Sequence, residues 1–218
     1  ARFRGNQANY YLKTYQYNRA LEAYLEARDQ AALLDDQMIT ATFDANVASV
    51  YAMMGNAQAA RVAAGRALAA AERSDLPIRD GILLHLGLLD ARAGEKERAF
   101  ARLEESLQHT RSRPATPQAP GVERPAVVEL RSLELFVVEA IRNGWHEDAA
   151  SLIERSRQLR LAHKDDPLPL TPVSLTAEGL VAQASGDLRE AEEKLTAAIE
   201  VGKRITPLGL PDAYVRRA

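Results

Sequence analysis

The amino-acid sequence predicts an all-α protein built from consecutive helix–turn–helix units. Its composition favours helix: alanine is abundant, 23 of the 28 basic residues are Arg, and aromatics are only 6%. Ala and Arg are strong helix formers, and alternating β-branched runs that would build strands are missing. A Gly followed five residues later by Ala recurs along the chain. Each recurrence is flanked on both sides by apolar residues at three- and four-residue steps, the period of an amphipathic helix.

The recurrences are Gly55 to Ala60, Gly94 to Ala99, Gly144 to Ala149 and Gly186 to Ala191, with Tyr15 in the Gly place before Ala20. The alanines are spaced by 40, 39, 50 and 42 residues. Each turn of about three residues is too short for anything but an antiparallel helix hairpin. A small residue just after the turn lets the two backbones approach, where a larger one would wedge them apart. The same need is met before the turn by Ala8, Ala48, Gly87 and Gly179, with Val137 the departure. Further along the second helices, Ala27, Ala67, Ser106, Ser156 and Ala198 are also small.

The predicted units follow in order. Residues 2–34 form the first around Ala8 and Ala20, and 38–74 the second, with Phe43, Val47, Val50, Tyr51 and Met54 before Gly55. Residues 79–111 form the third after the break at Leu76-Pro77, 126–164 the fourth and 172–204 the fifth. Residues 111–125 hold four prolines and a Gly, cannot continue a helix, and read as an inserted loop that accounts for the 50-residue spacing. Residues 163–173 hold three more prolines. Residues 205–218 read as a link and the start of a further helix. The whole of 1–218 is expected to form a single array. The start without Met, and apolar Tyr214 and Val215 near an end where a polar capping helix is usual, suggest a piece of a longer protein. The uncapped end is a place for self-association.

The pattern resembles the tetratricopeptide repeat (TPR) family, best in the second unit with Asn46, Ala48, Tyr51, Gly55 and Ala60. The resemblance covers about residues 2 to 204, although each spacing exceeds the family's usual unit of about 34 residues. It implies a right-handed superhelical solenoid whose first helices line a concave groove for an extended peptide or a partner helix. The inward positions implied are Asn6, Asn9 and Lys13, then Asn46, Ser49 and Met53, then His85, Leu88 and Arg92. Arg131, Glu134 and Arg142 follow in the fourth unit and Gln183 in the fifth. Some family members clamp a partner's C-terminal carboxylate with Asn and Lys or Arg. Asn9 and Asn46 match two clamp sites, but Gly5 and His85 stand where basic residues are expected.

Other chemistry is sparse. With no cysteine, thiol catalysis and thiolate metal sites are excluded. His146-Glu147-Asp148 fits the start of a second helix, where acidic residues favour the positive helix end, better than a catalytic cluster. His85, His109 and His163 lack metal-ligand spacing. The doublets Asp35-Asp36, Glu104-Glu105, Asp165-Asp166 and Glu192-Glu193 do not converge, since neighbouring helical residues point about 100° apart. Arg155, Arg157, Arg160 and Lys164 read as cations at a helix C-terminus. No phosphate-binding glycine loop or nucleophile elbow is present.

No enzyme activity, catalytic residue, cofactor or metal is expected. The near-neutral charge of −2 gives no push toward nucleic acid, and no apolar run approaches the roughly 20 residues of a membrane span. A cytoplasmic, bacterial protein-binding scaffold is the expected function. The alternative is a regulatory or sensor segment of a larger bacterial signalling protein, such as one with a caspase-like protease domain or a transcriptional activator.

Overall fold

The computed structural model describes residues 2–74, 78–113 and 123–205. Leu76-Pro77, most of the proline-rich 111–125 stretch and the further helix expected within 205–218 lie outside the described residues. The described residues form ten α-helices and no strand. The chain packs as two compact units, Ala1–His109 and Thr110–Ala218.

In the first unit, α1 (Arg2–Lys13) pairs with α2 (Tyr17–Leu33), α3 (Gln37–Met53) with α4 (Ala57–Arg73), and α5 (Arg79–Arg92) with α6 (Lys96–Ser112). The division between the units falls within the last turn of α6. In the second unit, α7 (Pro125–Arg142) pairs with α8 (His146–Ala162) and α9 (Pro172–Ser185) with α10 (Leu188–Ile205).

One turn closes all five helix hairpins and recurs at the α2–α3 corner, where Asp35 has φ 53° and the Asp36 N–H donates to the carbonyl of Ala31 at 3.1 Å. At the α3–α4 corner Gly55 has φ 77°, and the N–H of Asn56 donates to the carbonyl of Tyr51 at 2.9 Å. This is the six-to-one bond that closes a helix whose last residue is left-handed. The same bond joins Gln16 to Tyr11, Glu95 to Asp90, Trp145 to Ala140 and Asp187 to Ala182. Asn56 also starts the next helix, its Oδ1 accepting the Ala59 N–H at 3.1 Å. One residue thus ends α3 and caps α4, which is why three residues suffice for the corner. Tyr15 adopts the same left-handed conformation, φ 59°, without being a glycine.

The alanines after each turn are buried: Ala20, Ala60, Ala99 and Ala149 fully and Ala191 nearly so. The small residues before the turn have the expected role at α9, where a Cβ on Gly179 would lie 2.9 Å from Cγ of Leu195 on α10. The first unit's core is largely alanine, closed by Tyr24 and Phe43 with ring centroids 6.2 Å apart.

Candidate interaction face

The first helices of unit 1, α1, α3 and α5, share a register set by their turns. Counting back from Tyr15, Gly55 and Gly94 aligns Lys13 with Met53 and Arg92, Asn9 with Ser49 and Leu88, and Asn6 with Asn46 and His85. All nine are exposed or half-buried, so each row lies on the solvent side of its helix. Lys13 and Arg92 stand in the last turns of α1 and α5, and Met53 ends α3. Next to that edge, Tyr15, Gln16, Tyr17, Asn18, Arg19 and Met54 line an open depression of about 530 Å³.

The middle of the face is tied to the core. The Tyr24 hydroxyl donates to Asn9 Oδ1 at 2.5 Å, and burial raises the Tyr24 phenol above its ordinary pKa. Ser49 Oγ donates to its own helix at Ala45 O, 3.0 Å away, while Asn46 has no hydrogen-bond partner among the described residues. Burial lowers the pKa of His85, and the positive charge of Arg92 lowers it further.

The charge of this face is set by what is kept off it. Every carboxylate on α1, α3 and α5 is buried: Asp44, Asp80 and Asp90 are 7%, 4% and 0% exposed. The second helices supply the partners. Arg66 Nη2 donates to Asp44 Oδ1 at 2.9 Å, and Arg28 stands 3.8 Å away. Arg61 bridges Asp90 at 3.1 Å and Glu95 at 3.0 Å, and Arg102 Nη1 lies 2.8 Å from the other Asp90 oxygen. The Arg102 contact lacks hydrogen-bond alignment, so it acts as an ion pair. The non-buried positions of α1, α3 and α5 therefore carry no carboxylate, while Arg4, Lys13, Arg79, His85 and Arg92 are all among them.

Unit 2 repeats this sorting on α7. Glu129, Glu134 and Glu139 are buried, with Arg111 on Glu129 and Arg142 on Glu139 at 3.0 Å. Glu134, an expected groove residue, is 2% exposed and is taken up inside the unit. Arg160 Nη2 donates to Glu134 Oε1 at 2.8 Å and to Ser174 Oγ at 2.8 Å, and Ser174 Oγ donates to Glu134 Oε2 at 2.8 Å. Burial raises the Glu134 pKa, and the bonds from Arg160 and Ser174 oppose that rise. Arg160 Nη1 also donates to the carbonyls of Leu168 and Pro169, so this one side chain fastens the proline-rich link to α7, α8 and α9. Arg160 is therefore an internal ligand, where its place in a basic stripe suggests a helix-end cation. Arg131 is exposed and paired with Glu123 at 2.7 Å, and Gln183 is exposed near the end of α9. His146, Glu147 and Asp148 open α8, with the two carboxylates in its first turn. Among the described residues no helix is long and apolar enough to cross a membrane.

No protein-family model matches the sequence, and no curated protein matches it. Among solved structures, a Rap protein complexed with Competence and Sporulation Factor superposes with a TM-score of 0.71 over 92% of this chain, at 16% identity. This chain spans 53% of that one. TPR-like repeats of a putative kinesin light chain from Podosopora anserina superpose with a TM-score of 0.62 at 18% identity, covering 94% of this chain and 95% of that one. A point variant of those repeats superposes with a TM-score of 0.63. The fold is that of tetratricopeptide-like helical repeats.

Within this TPR-like fold, position 5 has no room for a side chain. A Cβ at Gly5 would lie 2.6 Å from Cε1 and 2.8 Å from Cζ of Phe43 on α3. The aromatic ring fills the space that a side chain at position 5 would occupy. The buried acid–arginine pairs are the feature that motif reading passes over. Their signal is an acidic residue inside an apolar stripe, such as Asp90 between Leu89 and Ala91.

Proposed function

We propose that this chain is a scaffold without chemistry of its own that binds a segment of another polypeptide on the solvent face of α1, α3 and α5. The observation that carries the reading is the sorting of charge: a continuous three-helix face of amide, hydroxyl, thioether and cationic groups, with every carboxylate turned into the core. Amides and hydroxyls along such a face can hydrogen-bond an extended backbone, and apolar side chains between them can take alternate side chains of the ligand. The fold's occurrence in a Rap protein complexed with Competence and Sporulation Factor supports a binding role without naming this chain's partner. The expected positions Asn9, Lys13, Asn46, Met53, His85 and Arg92 belong to this face. In unit 2, Arg131 and Arg142 are engaged by Glu123 and Glu139, Gln183 is exposed, and Glu134 is not part of the surface.

The absence of cysteine makes a direct test simple. A single environment-sensitive dye is attached at Ser49→Cys on the face, or at Val62→Cys on the outer side of α4, which is 56% exposed. Titration with pools of random extended peptides should change the emission at position 49 and leave position 62 unaffected. A response at both positions, or at 62 alone, would remove this face as the binding surface.

A further inference from the structure

We infer that the tyrosine-lined depression at the α1–α2 corner binds residues 114–120 of a second copy of this chain, extended as a polyproline helix. The depression lies at the helix ends, beside the face of α1, α3 and α5, and does not depend on peptide binding there.

This corner is built differently from the other four hairpin corners. Gly55, Gly94, Gly144 and Gly186 hold the left-handed position in those, whereas Tyr15 holds it here at φ 59°. Residues with a side chain rarely adopt that conformation, and such outliers cluster where a site needs them. The Tyr15 ring stands edge-on to that of Tyr17, with centroids 6.2 Å apart, and is still 48% exposed. Both rings line the depression of about 530 Å³, together with Met54 from the end of α3.

The lining holds no carboxylate. Its one cation, Arg19, is engaged: it donates to Gln16 Oε1 at 2.8 Å and lies 5.8 Å from the centre of the Tyr11 ring. The Tyr17 hydroxyl and the Asn18 amide have no hydrogen-bond partner among the described residues. Aromatic walls with open donors and no carboxylate suit an uncharged ligand rich in free carbonyls. A polyproline helix has that chemistry: it makes no internal hydrogen bonds, and its prolines dock in aromatic-lined grooves.

The chain carries such a segment. Pro114, Pro117 and Pro120 recur at every third residue, and residues 114–122 bear no charge. A polyproline helix has three residues per turn, so these prolines share one side of it at steps of about 9 Å. The other proline-rich run, 163–173, is already fastened within its own unit by Arg160.

The segment belongs to a second copy because it is too short to reach within one. Ser106 Oγ donates to the carbonyl of Asp80 at 2.8 Å, so α6 runs back from its corner and ends beside the start of α5. Over its 17 residues α6 carries the chain about 25 Å away from the corner end. It is also two helix pairs from α2, about 20 Å at the usual spacing of packed helices. The segment therefore starts about 30 Å from the depression. From Arg113 to Pro120 a polyproline helix spans only about 22 Å.

The test is sedimentation velocity of the full chain over a concentration series, which should show reversible self-association. Replacing Pro114, Pro117 and Pro120 together by Ala should shift the series toward monomer. Tyr15→Gly should weaken association about three- to tenfold, the range for losing one aromatic contact. Gly is the residue of the other four corners, so this variant should keep a urea midpoint close to that of wild type, which separates loss of the ring from loss of the fold. The two variants retain opposite halves of the contact, so their mixture should associate more strongly than either alone. An acetylated and amidated 112–122 peptide should bind the triple-alanine chain, read by fluorescence anisotropy. A peptide of the same composition with its prolines two and four residues apart should bind more weakly. A wild type that stays monomeric while the peptide binds would give the depression to a proline-rich partner and overturn the second copy. Association unchanged by the alanine replacements would overturn the segment, and association unchanged by Tyr15→Gly would overturn the depression. Equal binding of the two peptides would overturn the polyproline register. Neither association nor peptide binding would overturn the whole inference.

Discussion

Replacing Gly5 by Ala sets two effects of opposite sign against each other, and the structure says which wins. Gly5 lies inside α1, where Ala is ordinarily the better residue by about 1 kcal/mol. Its new Cβ would sit 2.6 Å and 2.8 Å from two ring atoms of Phe43, inside any normal carbon–carbon contact. The ring has little room to withdraw: Phe43 is 7% exposed and packs on Tyr24, which is 1% exposed and held through its hydroxyl to Asn9. Inserting a methyl into a packed core costs about 1–3 kcal/mol. The sum is a loss of up to about 2 kcal/mol, with about 0 at its mild end. The assay is urea denaturation followed by far-ultraviolet circular dichroism, in the wild-type background and again with Phe43→Leu. Phe43→Leu alone destabilises, but it vacates the ring position, so Gly5→Ala in that background should recover its helix-propensity gain of about 1 kcal/mol. The two sites should therefore couple, and the cycle reads the clash directly. A gain of about 1 kcal/mol in the wild-type background, equal to that in the Phe43→Leu background, would refute the steric account.

Two glycines of the second helix pair should respond in opposite directions. Gly55 has φ 77° and open space where a Cβ would go, so Gly55→Ala measures backbone conformation alone and should cost about 1–2 kcal/mol. Gly65 lies exposed inside α4 with equally open space, so Gly65→Ala should stabilise by about 1 kcal/mol in the same denaturation assay. The buried Glu134 carboxyl has a raised pKa, so it holds its proton to higher pH in the folded chain than in the unfolded one. Its contribution to stability is full below the ordinary glutamate range and is lost as pH rises through the raised value. Glu134→Gln keeps an acceptor for Arg160 and no longer titrates, so its stability relative to wild type should increase from pH 4 to pH 7; a constant difference would count against the assigned shift. His85 shows the reverse sign. Its lowered pKa means that its contribution is present above its ordinary range and lost as pH falls through the folded value, so His85→Gln should gain on wild type between pH 7.5 and pH 5.

The helices and their corners were legible because each is written in a few neighbouring residues. Gly55, Asn56 and Ala60 specify the end of one helix, the cap of the next and the close approach between them, and every part of that signal is local. Tyr15 could be placed in the same turn by alignment alone, although no propensity would put a tyrosine at φ 59°. The outward rows of α1, α3 and α5 were legible for the same reason, since a turn fixes the register of the helix before it. The charge partners were not. Arg160 lies 26 residues from Glu134 and 14 from Ser174, and nothing local distinguishes it from Arg155 or Arg157 on the same helix. Gly5 shows a missing side chain in the sequence, but not that Phe43, on another helix, fills the vacancy.

These internal pairs connect stability to the proposed binding. A carboxylate removed from water is expensive unless charge and hydrogen bonds compensate it, and an apolar residue of similar size often serves the fold as well or better. Stability alone is therefore a weak explanation for Asp44, Asp90, Glu129 and Glu134 on helices whose buried neighbours are apolar. Their arrangement has a further consequence. Each of these four acids draws in an arginine: Arg66 and Arg28 on Asp44, Arg61 and Arg102 on Asp90, Arg111 on Glu129, Arg160 on Glu134. A chain of formal net charge −2 thereby acquires, on α1, α3 and α5, a surface whose outward positions carry Lys13 and Arg92 and no carboxylate. The same acids placed outward would leave composition and net charge unchanged and would give the face both signs. Where an acid sits on a first helix thus decides whether that helix contributes to the fold's interior electrostatics or cancels the surface beside it. In unit 1 all three are inside.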